Sequence, residues 1–103
     1  MKFIDNLYLT DEIKKKKNRV LRKIKAQKFV LGLYIITLPS EDNGLLEIYP
    51  QYILLSSFYN QMDITAVGLA FGKDEAIELT NSIISDCYFT RNDFDIKTFI
   101  AER

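Results

Sequence analysis

Apolar and polar positions divide the chain into stretches of distinct period. From Ile64 to Phe71 every residue is apolar, Gly or Thr, which suits a short strand covered on both faces. Gly72 breaks the extended chain, and Asp74 and Glu75 place negative charge in the first turn of a helix, where the macrodipole favours it. That helix is expected from 73 to about 89, with Ala76, Ile77, Leu79, Ile83, Ile84, Cys87 and Tyr88 as its apolar positions.

The rest of the chain is read the same way. Residues 29–38, β-branched, aromatic and aliphatic up to Pro39, predict a strand. Ser40, Asn43 and Gly44 mark a turn, and 45–49 is the returning strand of a hairpin, with Glu47 facing out and Pro50 ending it. Residues 51–61 fit a short helix, with a strand as the alternative. Residues 94–100 predict a helical turn or two pinned by Phe94, Phe99 and Ile100. At the other end, Thr10 offers a capping hydroxyl, and Asp11 and Glu12 open a helix running to about residue 27. Ile13, Val20, Leu21 and Ile24 form its narrow apolar stripe. The first nine residues are expected to be an extended or irregular arm. The sum is one α+β domain over residues 1–103: a sheet of about three strands, one antiparallel hairpin among them, packed with an N-terminal basic helix and a C-terminal amphipathic helix. The pattern leaves open which strand pairs with 63–71, and in which direction.

Composition narrows the chemistry. There is no His, and Cys87 stands alone, which removes the commonest general base and any internal disulfide or thiolate cluster. The expected thiol is buried and inert, because Cys87 lies on the apolar stripe of its helix. The longest apolar run, 29–38, is half of the roughly 20 residues a membrane helix needs, and Met1 to Asp5 show no signal-peptide pattern. A cytoplasmic location is the expectation.

The zero net charge hides a segregation. Residues 1–28 hold ten Lys/Arg against three acids, net +7, and residues 29–103 hold four against eleven, net −7. Lys14, Lys15, Lys16, Arg19, Arg22 and Lys23 are therefore the candidate contacts for an anionic partner. The alternative is a solvated helix face that complements the acidic remainder, within one copy or across a dimer. No aromatic residue interrupts 11–28 to stack on bases, and lysine outnumbers arginine, which suits non-specific attraction. A membrane is not expected, because the apolar stripe lacks a bulky anchor.

Other candidates reduce to scaffolding. Gly68 to Asp74 lies between strand and helix as a phosphate loop would, but only three residues separate its glycines. Asp74 also stands where that motif needs Ser or Thr. Asp93 and Asp95 are placed to hold a cation or to cap the tail helix. Tyr34, Tyr49, Tyr52 and Tyr59 are expected as half-buried core. The segments Leu45-Leu46-Glu47-Ile48, Val67 to Ala76 (VGLAFGKDEA) and Asp93-Phe94-Asp95-Ile96-Lys97 resemble a group of small proteins of low-GC Gram-positive bacteria, over roughly residues 29–100. That resemblance implies no activity and no functional residues, and the basic helix lies outside it. The expected function is a non-enzymatic protein-interaction module without cofactor or metal, homodimeric or bound to an acidic partner, with nucleic-acid binding as the alternative.

Overall fold

The computed structural model describes residues 1–40, 44–56 and 62–103. Its elements are β1 (Lys2–Leu9), α1 (Asp11–Lys14), α2 (Lys17–Lys25), β2 (Leu33–Thr37), β3 (Glu47–Pro50), α3 (Gln51–Leu54), β4 (Thr65–Phe71), α4 (Lys73–Arg91) and α5 (Ile96–Glu102). The fold is α+β, built on a four-stranded mixed sheet in the order β1-β4-β2-β3. β4 is the central strand the sequence predicts: Ala66 to Ala70 are all buried. β2 pairs antiparallel with both β3 and β4, and β1 lies parallel to β4.

Several expectations change. The sheet has four strands rather than about three, because the first nine residues are a strand and not an arm. Exposed Lys2, Asp5 and Asn6 and a register shift between Phe3 and Tyr8 blur the alternation of β1, so its sequence shows no clean period of two. The basic helix is two helices, broken within the lysine run where the Lys16 N–H bonds the Ile13 carbonyl at 2.9 Å. Like charges three and four residues apart oppose a continuous ladder there. Thr10 occupies the cap position, but its hydroxyl makes no capping bond and is buried without a partner among the described residues. Finally, β2 begins at Leu33, not Phe29. The hairpin stands, although residues 41–43 of its turn, and 57–61 of the following segment, lie outside the described residues.

Each face of the sheet carries its own core. On one, Ile13, Val20 and Ile24 of α1 and α2 and Leu54 of α3 meet Leu33, Ile35, Ala66 and Leu69. On the other, Ile83 and Cys87 of α4 and Ile96, Phe99 and Ile100 of α5 meet Ile36 and Val67. Ile77 and Tyr88, expected on the apolar stripe of α4, and Phe94, expected to pin the tail helix, stand exposed. β4 bulges at Val67: its pairing with β2 passes from Ile36↔Gly68 to Thr37↔Ala66. The bulge turns Gly68 toward α4, where an added Cβ would sit 3.2 Å from Ile36 Cδ1, 3.3 Å from Leu79 Cδ2 and 3.3 Å from the Tyr8 carbonyl. The free edge of β1 is guarded by Arg103, whose Nε donates to the Asn6 carbonyl at 2.9 Å and whose guanidinium lies 3.8 Å over the Tyr8 ring.

Candidate interaction surface

The basic residues need a neighbour to make a site, and the chain after α2 supplies it. Gln27 takes a left-handed conformation (φ 58°), so that its own N–H bonds the Ile24 carbonyl and the Lys28 N–H bonds the Lys23 carbonyl at 2.9 Å. This closes α2 as a Schellman motif with a glutamine where glycine is usual. The next residues leave the sheet, and a single buried side chain holds them. Gln51, only 2% exposed, accepts from the Val30 N–H at 2.7 Å and donates through Nε2 to the Lys28 carbonyl at 2.8 Å. Gly32 (φ 76°) then turns the chain into β2.

Residues 29–31 are thereby held out beside α2. Phe29 is 54% and Leu31 83% exposed. Together with Phe71 they face Lys16, Arg19 and Lys23 across a cleft of about 400 Å³. Of the six sequence candidates, the structure gathers these three. Arg22 is exposed but outside the cleft, Lys15 stands at the break between α1 and α2, and Lys14 pairs with Asp11 at 3.9 Å on the open surface. Among the described residues, Lys16, Arg19 and Lys23 have no acidic partner. Sequence reasoning missed Phe29, Leu31 and Phe71 as site residues. The glycine interrupting an apolar run was the available signal, since Gly inside a strand pattern often marks a departure from the ladder.

The other candidates have internal uses. The Gly72 N–H is bonded to the Gly32 carbonyl at 2.8 Å, so this amide of the strand-to-helix turn is already engaged within the fold. Asp95 caps α5, accepting from the Thr98 N–H at 3.3 Å and the Thr98 hydroxyl at 2.7 Å. Hydrogen bonding from Thr98 holds its carboxyl below the usual range. Asp93 binds Arg91 at 3.2 Å, and Arg91 also reaches Glu102 at 3.1 Å. Among the described residues no group of acidic or cysteine side chains is arranged to hold a metal. Cys87 is fully buried, its Sγ 3.5 Å from the Asp93 carbonyl, and burial pushes the thiol pKa up, which disfavours the nucleophilic thiolate. Glu47 does not simply face out: it accepts from the Ser40 N–H at 2.9 Å. Tyr34 and Tyr49 are half-buried, Tyr52 is exposed, and Tyr59 lies outside the described residues. No helix among the described residues is long and apolar enough to cross a membrane. No protein family, curated protein or solved structure matches the chain.

Proposed function

We propose that the chain is a non-enzymatic protein-interaction module, whose cleft between α2 and residues 29–31 docks an acidic, partly apolar segment of a partner. The observation that carries this is the pairing of Lys16, Arg19 and Lys23, which have no acidic partner among the described residues, with exposed Phe29 and Leu31. An interface of this composition buries an apolar centre inside a charged rim, and the rim charges steer a partner of opposite sign. A second reading draws on the same Phe29: an aromatic ring beside cations is what single-stranded nucleic acid stacks on. One exposed ring among lysines favours the protein reading, because a nucleic-acid groove repeats such platforms along its length.

Fluorescence anisotropy separates the two. An amphipathic peptide with Glu on one face and Leu on the other is expected to bind, and Leu31→Glu to weaken it about tenfold, the loss of one apolar contact at a docking centre. A labelled single-stranded oligonucleotide is expected to show no binding at about 0.15 M salt. Oligonucleotide binding without peptide binding would replace the proposal by the second reading; binding of neither would remove both.

A further inference from the structure

We infer that the acidic segment taken by the cleft is presented by a second copy of this chain, from the C-terminal corner of α4, so that copies associate head to tail. The inference rests on the docking role proposed for the cleft and names the partner. At that corner Phe89 is 82%, Phe94 54% and Tyr88 43% exposed. Tyr88 stacks on Phe94 with ring centroids 5.2 Å apart and meets Phe89 edge-on at 6.0 Å. Three exposed aromatic rings held against one another are a preformed apolar anchor, and such rings are enriched where proteins dock. Around them residues 86–102 hold Asp86, Asp93, Asp95 and Glu102 against Arg91 and Lys97. The single Arg91 is shared among Asp93, Asp95 and Glu102, and Asp86 accepts from the Tyr8 hydroxyl, so the segment keeps an excess of two negative charges. Asp86 lies one turn before Phe89 on the same side of α4.

The cleft and the corner therefore complement each other, apolar centre to apolar centre and base to acid. The chain's charge segregation says the same on a larger scale, with net +7 over residues 1–28 and net −7 over the remainder. Within one copy the match cannot close. The cleft belongs to the helical layer on one face of the sheet, beside Phe71. α4 packs on the opposite face, starts just after Phe71, and its 19 residues carry the corner about 28 Å away at 1.5 Å per residue. Set at opposite ends and on opposite faces, the two surfaces engage different neighbours. A contact of that kind is heterologous and does not stop at two copies.

Sedimentation velocity of the full chain tests it, with two substitutions at exposed positions: Leu31→Glu to spoil the cleft and Phe89→Arg to spoil the corner. At about 0.05 M salt the wild type is expected to rise above the 12.0 kDa of one copy as concentration increases. It should fall back near 1 M salt, where the screening length is about 3 Å. Each variant alone is expected to be monomeric, its association weakened tenfold or more. An equimolar mixture is expected to give a dimer and nothing larger, because one intact cleft and one intact corner remain. A wild type that stays monomeric, a mixture that stays monomeric, or either variant forming dimers by itself would overturn the inference. The acidic peptide keeps this apart from the docking role. Monomeric wild type that still binds the peptide removes only the self-partner, and wild type that fails to bind the peptide removes the cleft as a docking site.

Discussion

Removing the amide of Gln51 should loosen the cleft without touching its surface. In Gln51→Ala the Val30 N–H and the Lys28 carbonyl both lose their partner. Leaving one buried polar group unpaired costs about 1–3 kcal/mol. Both bonds are part-buried, so water recovers some of that, and about 2 kcal/mol is the expected loss. Against a total stability on the order of 5–15 kcal/mol this is large. Urea unfolding followed by circular dichroism reads it as a lower midpoint at unchanged m. Gln51→Glu sharpens the test. The ionised carboxylate of that variant still accepts from Val30 but turns an oxygen toward the Lys28 carbonyl, and it is desolvated as well. Both effects raise its folded pKa above the ordinary value of about 4.3. The protonated acid offers one O–H donor and one acceptor, as the amide does. The folded state then binds the proton more tightly than the unfolded state. The variant should therefore be at its worst at neutral pH and recover toward wild type as pH falls through that raised value. If Gln51→Ala lies within about 0.5 kcal/mol of wild type, well short of the cost of an unpaired buried group, or Gln51→Glu shows no recovery in acid, the clamp does not hold residues 28–30.

Two further outcomes follow from the sheet and its edge. Gly68→Ala puts a methyl 3.3 Å from the Tyr8 carbonyl, a backbone atom that cannot rotate away, so overpacking should cost about 1–3 kcal/mol by the same unfolding assay. A wild-type midpoint would show that β1 and α4 have room to move. Burial first, then the hydrogen bond from the Tyr8 hydroxyl to Asp86 at 2.8 Å, pushes the Tyr8 pKa from 10.0 up to about 12, with Arg103 opposing. A proton held more tightly when folded adds stability that is complete below about pH 10 and lost as pH rises through about 12. Asp86→Asn should bring the Tyr8 titration down toward the ordinary value of about 10, read by NMR of its ring; an unchanged value would exclude the carboxylate as a cause.

The central strand and its helix were legible because local pattern and final burial coincide there. Ile64 to Phe71 holds only apolar residues, Gly and Thr, and Ala66 to Ala70 end up covered on both faces, while Asp74 and Glu75 start α4 where the dipole favours them. β1 was not legible, since a parallel pairing to a strand more than fifty residues later leaves no local mark. Its exposed Asp5 and Asn6 and its shifted register also break the period on which a strand is recognised. Residues 29–31 failed for the opposite reason. Phe, Val and Leu favour strands on their own, but the backbone partner of Val30 is a side chain 21 positions away, and Gly32 bends the chain at the point where the ladder would have to continue.

The same cause hid the site. Charge along the sequence identified Lys16, Arg19 and Lys23, since charge is a property of each residue alone. A docking surface also needs an apolar centre, and its centre here comes from Phe29 and Leu31 in a loop and Phe71 at the end of a distant strand. None of these lies within 11–28, where aromatics interleaved with the basic residues would have to be found. The three are brought together by the Gln51 clamp and by the bond from the Gly72 N–H to the Gly32 carbonyl, which ties the end of β4 to the start of β2. The glycine turn that imitates a phosphate loop thus has a structural task, and that task places Phe71 against the basic helix. A variant that frees this turn should weaken the cleft before it weakens the core, because Phe71 is only half-buried while Leu69, two residues earlier, is wholly enclosed.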